Sequence, residues 1–334
     1  MCCWKASVAG LPGARCCSNG KTMKLAMVFP GQGSQSVGML QSFADTPAVR
    51  DVFIEASDVL GQDLWKLISA GPVEDLNSTV NTQPVMLAAD YAVYRAWRAA
   101  GGTVPAIMAG HSLGEYSALV VAGALDFRDA LPLVRYRAQA MQEAVPFGVG
   151  GMAAILGLDD AAVRAACTEA AQGEVVEPVN FNAPGQIVIA GHKTAVERGI
   201  AAAKAKGARR AVILPVSAPF HSSLLKPAAQ RLAEKLAGVT LKTPQIPVIN
   251  NVDVAMLNEP QQIKDALARQ ACSPVRWVET IRSMAQAGVT HVVECGPGRI
   301  LSALTNRIDD KLHSIALADA TSLSQAIQIL KQAA

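Results

Sequence analysis

Gly110-His111-Ser112-Leu113-Gly114 stands between a short apolar run, Ala106-Ile107-Met108-Ala109, and a helix-like one, Glu115-Tyr116-Ser117-Ala118-Leu119-Val120-Val121-Ala122. This is the layout of a nucleophile elbow, in which a strand meets a helix at a sharp turn carrying a serine. The two glycines let the backbone crowd together at that turn. Raised there, the Ser112 hydroxyl projects above the sheet. The helix N-terminus behind it offers unpaired N–H groups and a partial positive charge to a developing oxyanion.

Working outward, apolar runs of four to six residues alternate with longer helical patterns, the signature of an α/β protein with parallel strands. A strand is expected over 25–29, helices over 48–60, 63–70 and 83–100, and a helix from Phe127 to about Val145 that Asp126 caps. Pro146-Phe147-Gly148-Val149-Gly150-Gly151 reads as a boundary. Beyond it the expected order is strand 152–156, helix 161–171, strands 175–181 and 186–190, helix 194–206 and strand 211–216. That β-α-β-β-α-β order is ferredoxin-like. The chain then returns to the larger layer with a helix over 224–236, strands over 247–252 and 291–295, and helices over 261–271, 278–286 and 300–307. The expected architecture is a large α/β-hydrolase-like domain, 23–147 and 218–334, with an inserted ferredoxin-like domain at 148–217. Residues 1–22 read as a disordered extension that the fold does not use.

Composition sets bounds. Fifty-one per cent hydrophobic and 17% charged residues describe an ordinary globular chain, and no apolar run reaches the ~18 to 20 residues a membrane helix requires. The net charge of +3 is local, because Lys5, Arg15 and Lys21 fall in the acid-free first 22 residues and the remaining basic residues balance the 27 acidic ones. A nucleic-acid partner therefore has no compositional support, and no membrane partner is expected. Four of the seven cysteines, Cys2, Cys3, Cys16 and Cys17, crowd the same segment. Cys167, Cys272 and Cys295 make no disulfide framework, which implies a reducing compartment, the cytoplasm. The first 22 residues lack a continuous apolar stretch for secretion; their basic, acid-poor character would suit an organelle-targeting peptide, the lesser reading beside an extension the fold does not use.

A serine nucleophile needs a base. Of the five histidines, His111 adjoins Ser112 and its side chain is expected to point away, while His192, His291 and His313 read as structural. His221 follows Pro215-Val216-Ser217-Ala218-Pro219-Phe220, a strand end and proline-broken loop of the kind on which catalytic residues sit. Pro30-Gly31-Gln32-Gly33-Ser34-Gln35 is not a dinucleotide fingerprint, since Ser36 stands where a third glycine is needed; its backbone N–H groups suit an oxyanion better. Arg135 and Arg137 flank the buried stripe of the 127–145 helix at similar angles, and helical periodicity does not choose between them.

Phe29-Pro30-Gly31-Gln32-Gly33-Ser34-Gln35, Thr82-Gln83-Pro84, Gly110-His111-Ser112-Leu113-Gly114-Glu115-Tyr116, Phe181-Asn182-Ala183-Pro184-Gly185-Gln186, Pro219-Phe220-His221, Asn250-Asn251-Val252-Asp253 and Gly296-Pro297-Gly298 occur in that order. Together they resemble the successive signatures of the malonyl-CoA:acyl carrier protein transacylase family of type II fatty acid synthesis, over about 24–330. The resemblance implies a Ser112–His221 dyad, with the imidazole held by the backbone carbonyl of Gln270, so that Asp253 is not needed as a third member. It implies an oxyanion hole from the backbone N–H groups of Leu113 and Gln32, Arg137 as the malonate-binding residue, Phe220 as a wall against substituents on the malonate, and Asn182 as a support for the histidine region. It further implies malonyl-CoA as donor, the phosphopantetheine thiol of an acyl carrier protein as acceptor, and no bound cofactor or metal. Two rival readings share the elbow: a serine esterase or thioesterase, against which Arg137 and the Gln32 loop argue, and a non-catalytic carrier-binding scaffold, against which Ser112 and His221 argue.

Overall fold

Leu25-Ala26-Met27-Val28-Phe29 contains no polar residue because both of its faces are covered. In a computed structural model of the chain, which describes residues 23–216 and 218–333, this run is β1 (Leu25–Phe29), wholly buried at the centre of a five-stranded parallel sheet. The expected extension at 1–22 lies outside the described residues. The other strands are β2 (Ile107–Gly110), β7 (Val248–Ile249), β8 (His291–Glu294) and β9 (His313–Ala316), in the order β7-β2-β1-β8-β9. Side chains alternate across β1. Leu25, Met27 and Phe29 join the core formed with α1 (Pro47–Leu60), α4 (Thr79–Ala99), α5 (Gly114–Val121) and α6 (Phe127–Glu143), which includes Phe53, Trp97 and Leu131. Ala26 and Val28 face α11 (Trp277–Gln286) and α12 (Ile300–Ile308) through Trp277, Ile281 and Leu304. Each such apolar side chain contributes ~1.5 to 3 kcal/mol when fully buried.

Register brings the two glycine-rich loops together. Phe29 lies opposite Gly110, and the His111 N–H donates to the Phe29 carbonyl at 3.0 Å. Both loops therefore leave the carboxyl edge of the sheet side by side, where open α/β sheets bind ligands.

The second sheet comprises β3 (Gly150–Leu156), β4 (Val176–Ala183), β5 (Gln186–His192) and β6 (Arg210–Ile213), antiparallel in the order β4-β5-β3-β6. With α7 (Asp160–Ala171) and α8 (Lys193–Ala205) it has the ferredoxin-like connectivity read from the sequence. Its two faces do different things. Ala153, Ile155, Ile187 and Ile189 pack under the helices, whereas Met152 and Val188 point toward the larger core. β4 is stitched to the segment before α11, with Phe181 N–H donating to Val275 O at 3.0 Å and Val275 N–H to Val179 O at 2.9 Å. The Glu177 carboxylate on β4 accepts from the Ser223 N–H (2.7 Å) and hydroxyl (2.8 Å), fixing the chain just past His221.

Several elements differ from expectation. The helix expected over 83–100 begins four residues earlier, at Thr79, with Pro84 inside it. The strand expected over 247–252 is two residues long, because Asn250 turns the chain: its Oδ1 accepts from Asp253 N–H at 2.7 Å and its N–H donates to Ala255 O. α2 (Leu64–Ala70), α9 (Lys226–Ala237) and α10 (Pro260–Gln270) lie near their expected places, while α3 (Val73–Asn77), β9 and α13 (Ala320–Ala333) are additions. His313, read as structural, sits on the edge strand β9 with its ring stacked on that of His291 at 4.8 Å.

Candidate active site

The elbow is held by close backbone approach. A Cβ on Gly110 would lie 1.8 Å from the Gly114 carbonyl carbon, and one on Gly114 would lie 2.1 Å from the Phe29 carbonyl oxygen. Ser112 itself has φ +53°, the left-handed region that a side chain rarely adopts. Asn251, at the end of β7, clamps the turn: its Oδ1 accepts from the Ser112 N–H (2.7 Å) and its Nδ2 donates to Gly110 O (2.7 Å).

His221, also at positive φ (+65°), brings its Nε2 within 2.8 Å of Ser112 Oγ, and its Nδ1 lies 2.9 Å from the Gln270 carbonyl. A carbonyl only accepts, so Nδ1 carries the ring proton and Nε2 is left to accept from the serine. Burial, reinforced by the charge of Arg137, pushes the His221 pKa down to about 3, so the ring is a neutral base at physiological pH. Asp253 forms a two-pronged ion pair with Arg269 (2.7 and 2.9 Å).

The two arginines of α6 separate cleanly. Arg135 is partly buried against α1 and its connection to α2, donating to Gln62 Oε1 and to Leu60 O. Arg137 is 2% exposed and points into the site. Its Nη1 donates to Gln83 Oε1 (2.7 Å), and its Nη2 to Gln270 Oε1 (2.9 Å) and Ser112 Oγ (3.1 Å). Gln83 Nε2 in turn donates to Thr79 Oγ1, which donates to Gln32 Oε1 at 2.7 Å, so the first glycine-rich loop and the guanidinium belong to one network.

These groups open onto a cavity of about 190 Å³ lined by Gln32, Leu113, Asn182 and Phe220. Its apolar wall includes Met152, Val188, Leu214 and Val216. A hydroxyl with a neutral base at 2.8 Å and a buried cation at 3.1 Å is equipped to take up an acyl group that carries an anion. Among the described residues no group of three or more His, Cys, Asp or Glu is placed to hold a metal.

The acyl transferase domain family model matches residues 26–327. The malonyl CoA-acyl carrier protein transacylase of Escherichia coli K12 is 55% identical over 307 residues, covering 92% of this chain and 99% of that protein. The chain belongs to this transacylase family. An acyl-carrier-protein S-malonyltransferase structure from Burkholderia pseudomallei is 64% identical, with a TM-score of 0.91 over 92% of this chain and 100% of that one. A malonyl-transacylase solved in complex with its type II PKS acyl-carrier protein is 53% identical, with a TM-score of 0.90 over 92% of this chain and 99% of that one.

Against this transacylase fold, two expectations need correction. The His111 side chain does not point away from the site; it lines the cavity, its Nε2 2.8 Å from Asn182 Oδ1 and its ring 5.4 Å from that of Trp277. Asn182 accordingly pairs with His111 and not with His221. The reason is the tight elbow: with Ser112 in the left-handed region, the residue before it is turned into the cleft toward β4. Three buried polar residues escaped the sequence reading of roles: Gln83, Asn251 and Glu115. Glu115 Oε2 accepts from Asn251 N–H (2.9 Å) and Gln270 Nε2 (2.8 Å), and burial raises its pKa to about 7. The available signal was a carboxylate opening the otherwise apolar α5 and side-chain amides inside apolar context.

Proposed function

We propose that this chain transfers a malonyl group from malonyl-CoA to the phosphopantetheine thiol of an acyl carrier protein through a malonyl ester of Ser112. The observation that carries this reading is the buried guanidinium of Arg137, 3.1 Å from Ser112 Oγ, beside a serine–histidine pair. The relatives named above, which act on malonyl-CoA and acyl carrier protein by name, support it.

Ser112 Oγ attacks the thioester carbon while His221 Nε2 takes the hydroxyl proton. The oxyanion is met by the backbone N–H groups of Leu113 and Gln32, residues that line the cavity together with Ser112. Collapse breaks the C–S bond, and His221 returns the proton to the coenzyme A sulfur. The carrier thiol then attacks the malonyl-serine ester in the mirror sequence, losing its proton to His221 and regenerating the Ser112 hydroxyl. Donor thioester and acceptor thiol balance the reaction. Arg137 grips the free carboxylate in two parallel hydrogen bonds, which a neutral acetyl group leaves unanswered. Phe220 walls the α-carbon, Gln270 holds the imidazole, and Asn182 supports the cleft through His111. This reading assigns the nucleophile and the cation to a large unit, 23–147 with 218–334, and one wall of the cleft to a small unit, 148–217. A cytoplasmic location agrees with the free thiols of Cys167, Cys272 and Cys295.

Intact mass after incubation with malonyl-CoA alone should show one added malonyl group, removed on addition of carrier protein with a free phosphopantetheine thiol. Ser112→Ala should take up none; labelling that persists in that variant overturns the assignment.

A further inference from the structure

Arg137 poses an electrostatic problem in the empty enzyme. It is buried, yet each of its hydrogen-bond partners, Gln83, Gln270 and Ser112, is neutral, and Tyr116 offers only a ring face 5.4 Å away. An uncompensated buried charge is strongly destabilising. The nearest carboxylate is Glu115, one amide away: Gln270 donates Nε2 to Glu115 Oε2 (2.8 Å) and to Ser112 O (3.0 Å), and presents Oε1 to the guanidinium (2.9 Å). The acceptors on one side and the donor on the other fix the orientation of the amide, which polarises along the line from carboxylate to cation.

The geometry points to Glu115 as a positioning residue and exchangeable counter-ion: it balances Arg137 through Gln270 while the site is empty, and yields that role to the malonyl carboxylate, taking up a proton as malonyl binds. The inference rests on the reading that Arg137 receives that carboxylate. Once the substrate's negative charge lies on the guanidinium, the charge of Glu115 no longer has a cation of its own. Buried and held by the Asn251 N–H and Gln270 Nε2, the carboxyl gains proton affinity in the complex. The other charged or titratable groups facing it are few. Tyr116 lies on its own helix α5, Arg137 on α6, and Asp253, which raises the proton affinity of Glu115 further, follows β7 and is itself paired with Arg269 of α10. His221 is held in its neutral form until far lower pH, so its titration falls in a different window.

The sign follows from linkage. The free Glu115 titrates at about 7 and the malonyl-bound form higher, so between those values binding consumes a proton and malonyl affinity falls as pH rises. Acetyl-CoA, which brings no anion to Arg137, should show no such dependence. The test uses the full chain with Ser112→Ala, which binds without turnover, titrated calorimetrically with malonyl-CoA or acetyl-CoA at pH 7.5 in two buffers of different ionisation enthalpy. Expected are uptake of more than about 0.3 proton per malonyl-CoA, none for acetyl-CoA, and a malonyl affinity that falls by up to about tenfold per pH unit above pH 7. Adding Glu115→Gln should abolish both the uptake and the pH slope, and leave malonyl binding tighter than in the parent at pH 8.5. Equal uptake for both donors, no uptake for malonyl, or uptake that survives Glu115→Gln overturns the inference. If Glu115→Gln does not fold, the comparison of the two donors still decides. Arg137→Ala separates the two layers of the argument. Loss of malonyl preference in that variant without proton uptake in the parent defeats the role of Glu115 alone, whereas unchanged preference defeats the reading beneath it.

Discussion

Replacing Arg137 by alanine tests the substrate reading directly. On the proposed reading the guanidinium forms a buried ion pair with the malonyl carboxylate, and deleting one partner of such a pair costs ~2 to 5 kcal/mol, about 30-fold to several thousand-fold in kcat/KM for malonyl-CoA. For acetyl-CoA the loss is confined to the bond from Nη2 to Ser112 Oγ, worth ~1 kcal/mol or about fivefold. Two effects offset even that. The cation no longer sits unanswered beside a methyl group, and His221, whose proton affinity Arg137 depresses, becomes a stronger base. The ratio of malonyl to acetyl kcat/KM should therefore fall by at least about fivefold. Alanine also strips a donor from Gln83 Oε1 and Gln270 Oε1, so thermal unfolding must be measured alongside, to keep loss of fold apart from loss of selectivity. Arg135→Ala is the control, because its side chain binds Gln62 and Leu60 O outside the cleft. An equal fall for both donors, or a switch of selectivity in Arg135→Ala, refutes the assignment.

Four further outcomes are expected. His221 titrates near 6.5 when unfolded and at about 3 when folded, so the unfolded chain binds its proton first and stability drops as pH falls from 6.5 toward 3; thermal unfolding at pH 7 and pH 5 should show a drop that shrinks in His221→Ala. His221→Ala should also slow single-turnover acylation by ~10² to 10⁴, and a near-normal rate would move the base elsewhere. Gly114→Ala drives a Cβ to 2.1 Å from the Phe29 carbonyl, a clash between backbones that should cost upward of ~3 kcal/mol in denaturant unfolding; a neutral result would mean the elbow is looser than described. Asn251→Ala leaves the Ser112 N–H and Gly110 O without partners, at ~1 to 3 kcal/mol each, and should slow acylation more than it weakens malonyl-CoA binding.

Much of this was legible in the chain, for identifiable reasons. The elbow announces itself because its chemistry demands glycine at 110 and 114, and the central strand because full burial removes every polar residue from Leu25–Phe29. Arg137 was not separable from Arg135 by periodicity, since both lie on the margins of one stripe and only Gln83 and Gln270, brought from distant segments, give one of them a buried seat. The orientation of His111 was hidden in the same way: it depends on the φ of Ser112 and on Asn182 from another sheet. Pro84 sits inside α4 without ending it. Near the start of α4 it forgoes a single hydrogen bond, and the burial of its neighbours outweighs that loss.

The cavity is walled from two directions, and that has a consequence for how acyl preference can drift. On the proposed reading the carboxylate is sensed by α6 with help from α4, whereas breadth is set by the lining residues Met152 and Val188 on the inner face of the antiparallel sheet and Leu214, Val216 and Phe220 on the chain leaving it. Those are independent filters. Trimming Val188 or Leu214 enlarges the space for a branched donor, at the ~1 to 3 kcal/mol per methylene that hydrophobic pockets discriminate. The demand for a free carboxylate stays where it was, because no atom of the guanidinium network lies on those strands. On that reading, a descendant of this chain can change how bulky an acyl group it accepts while its demand for a free carboxylate persists.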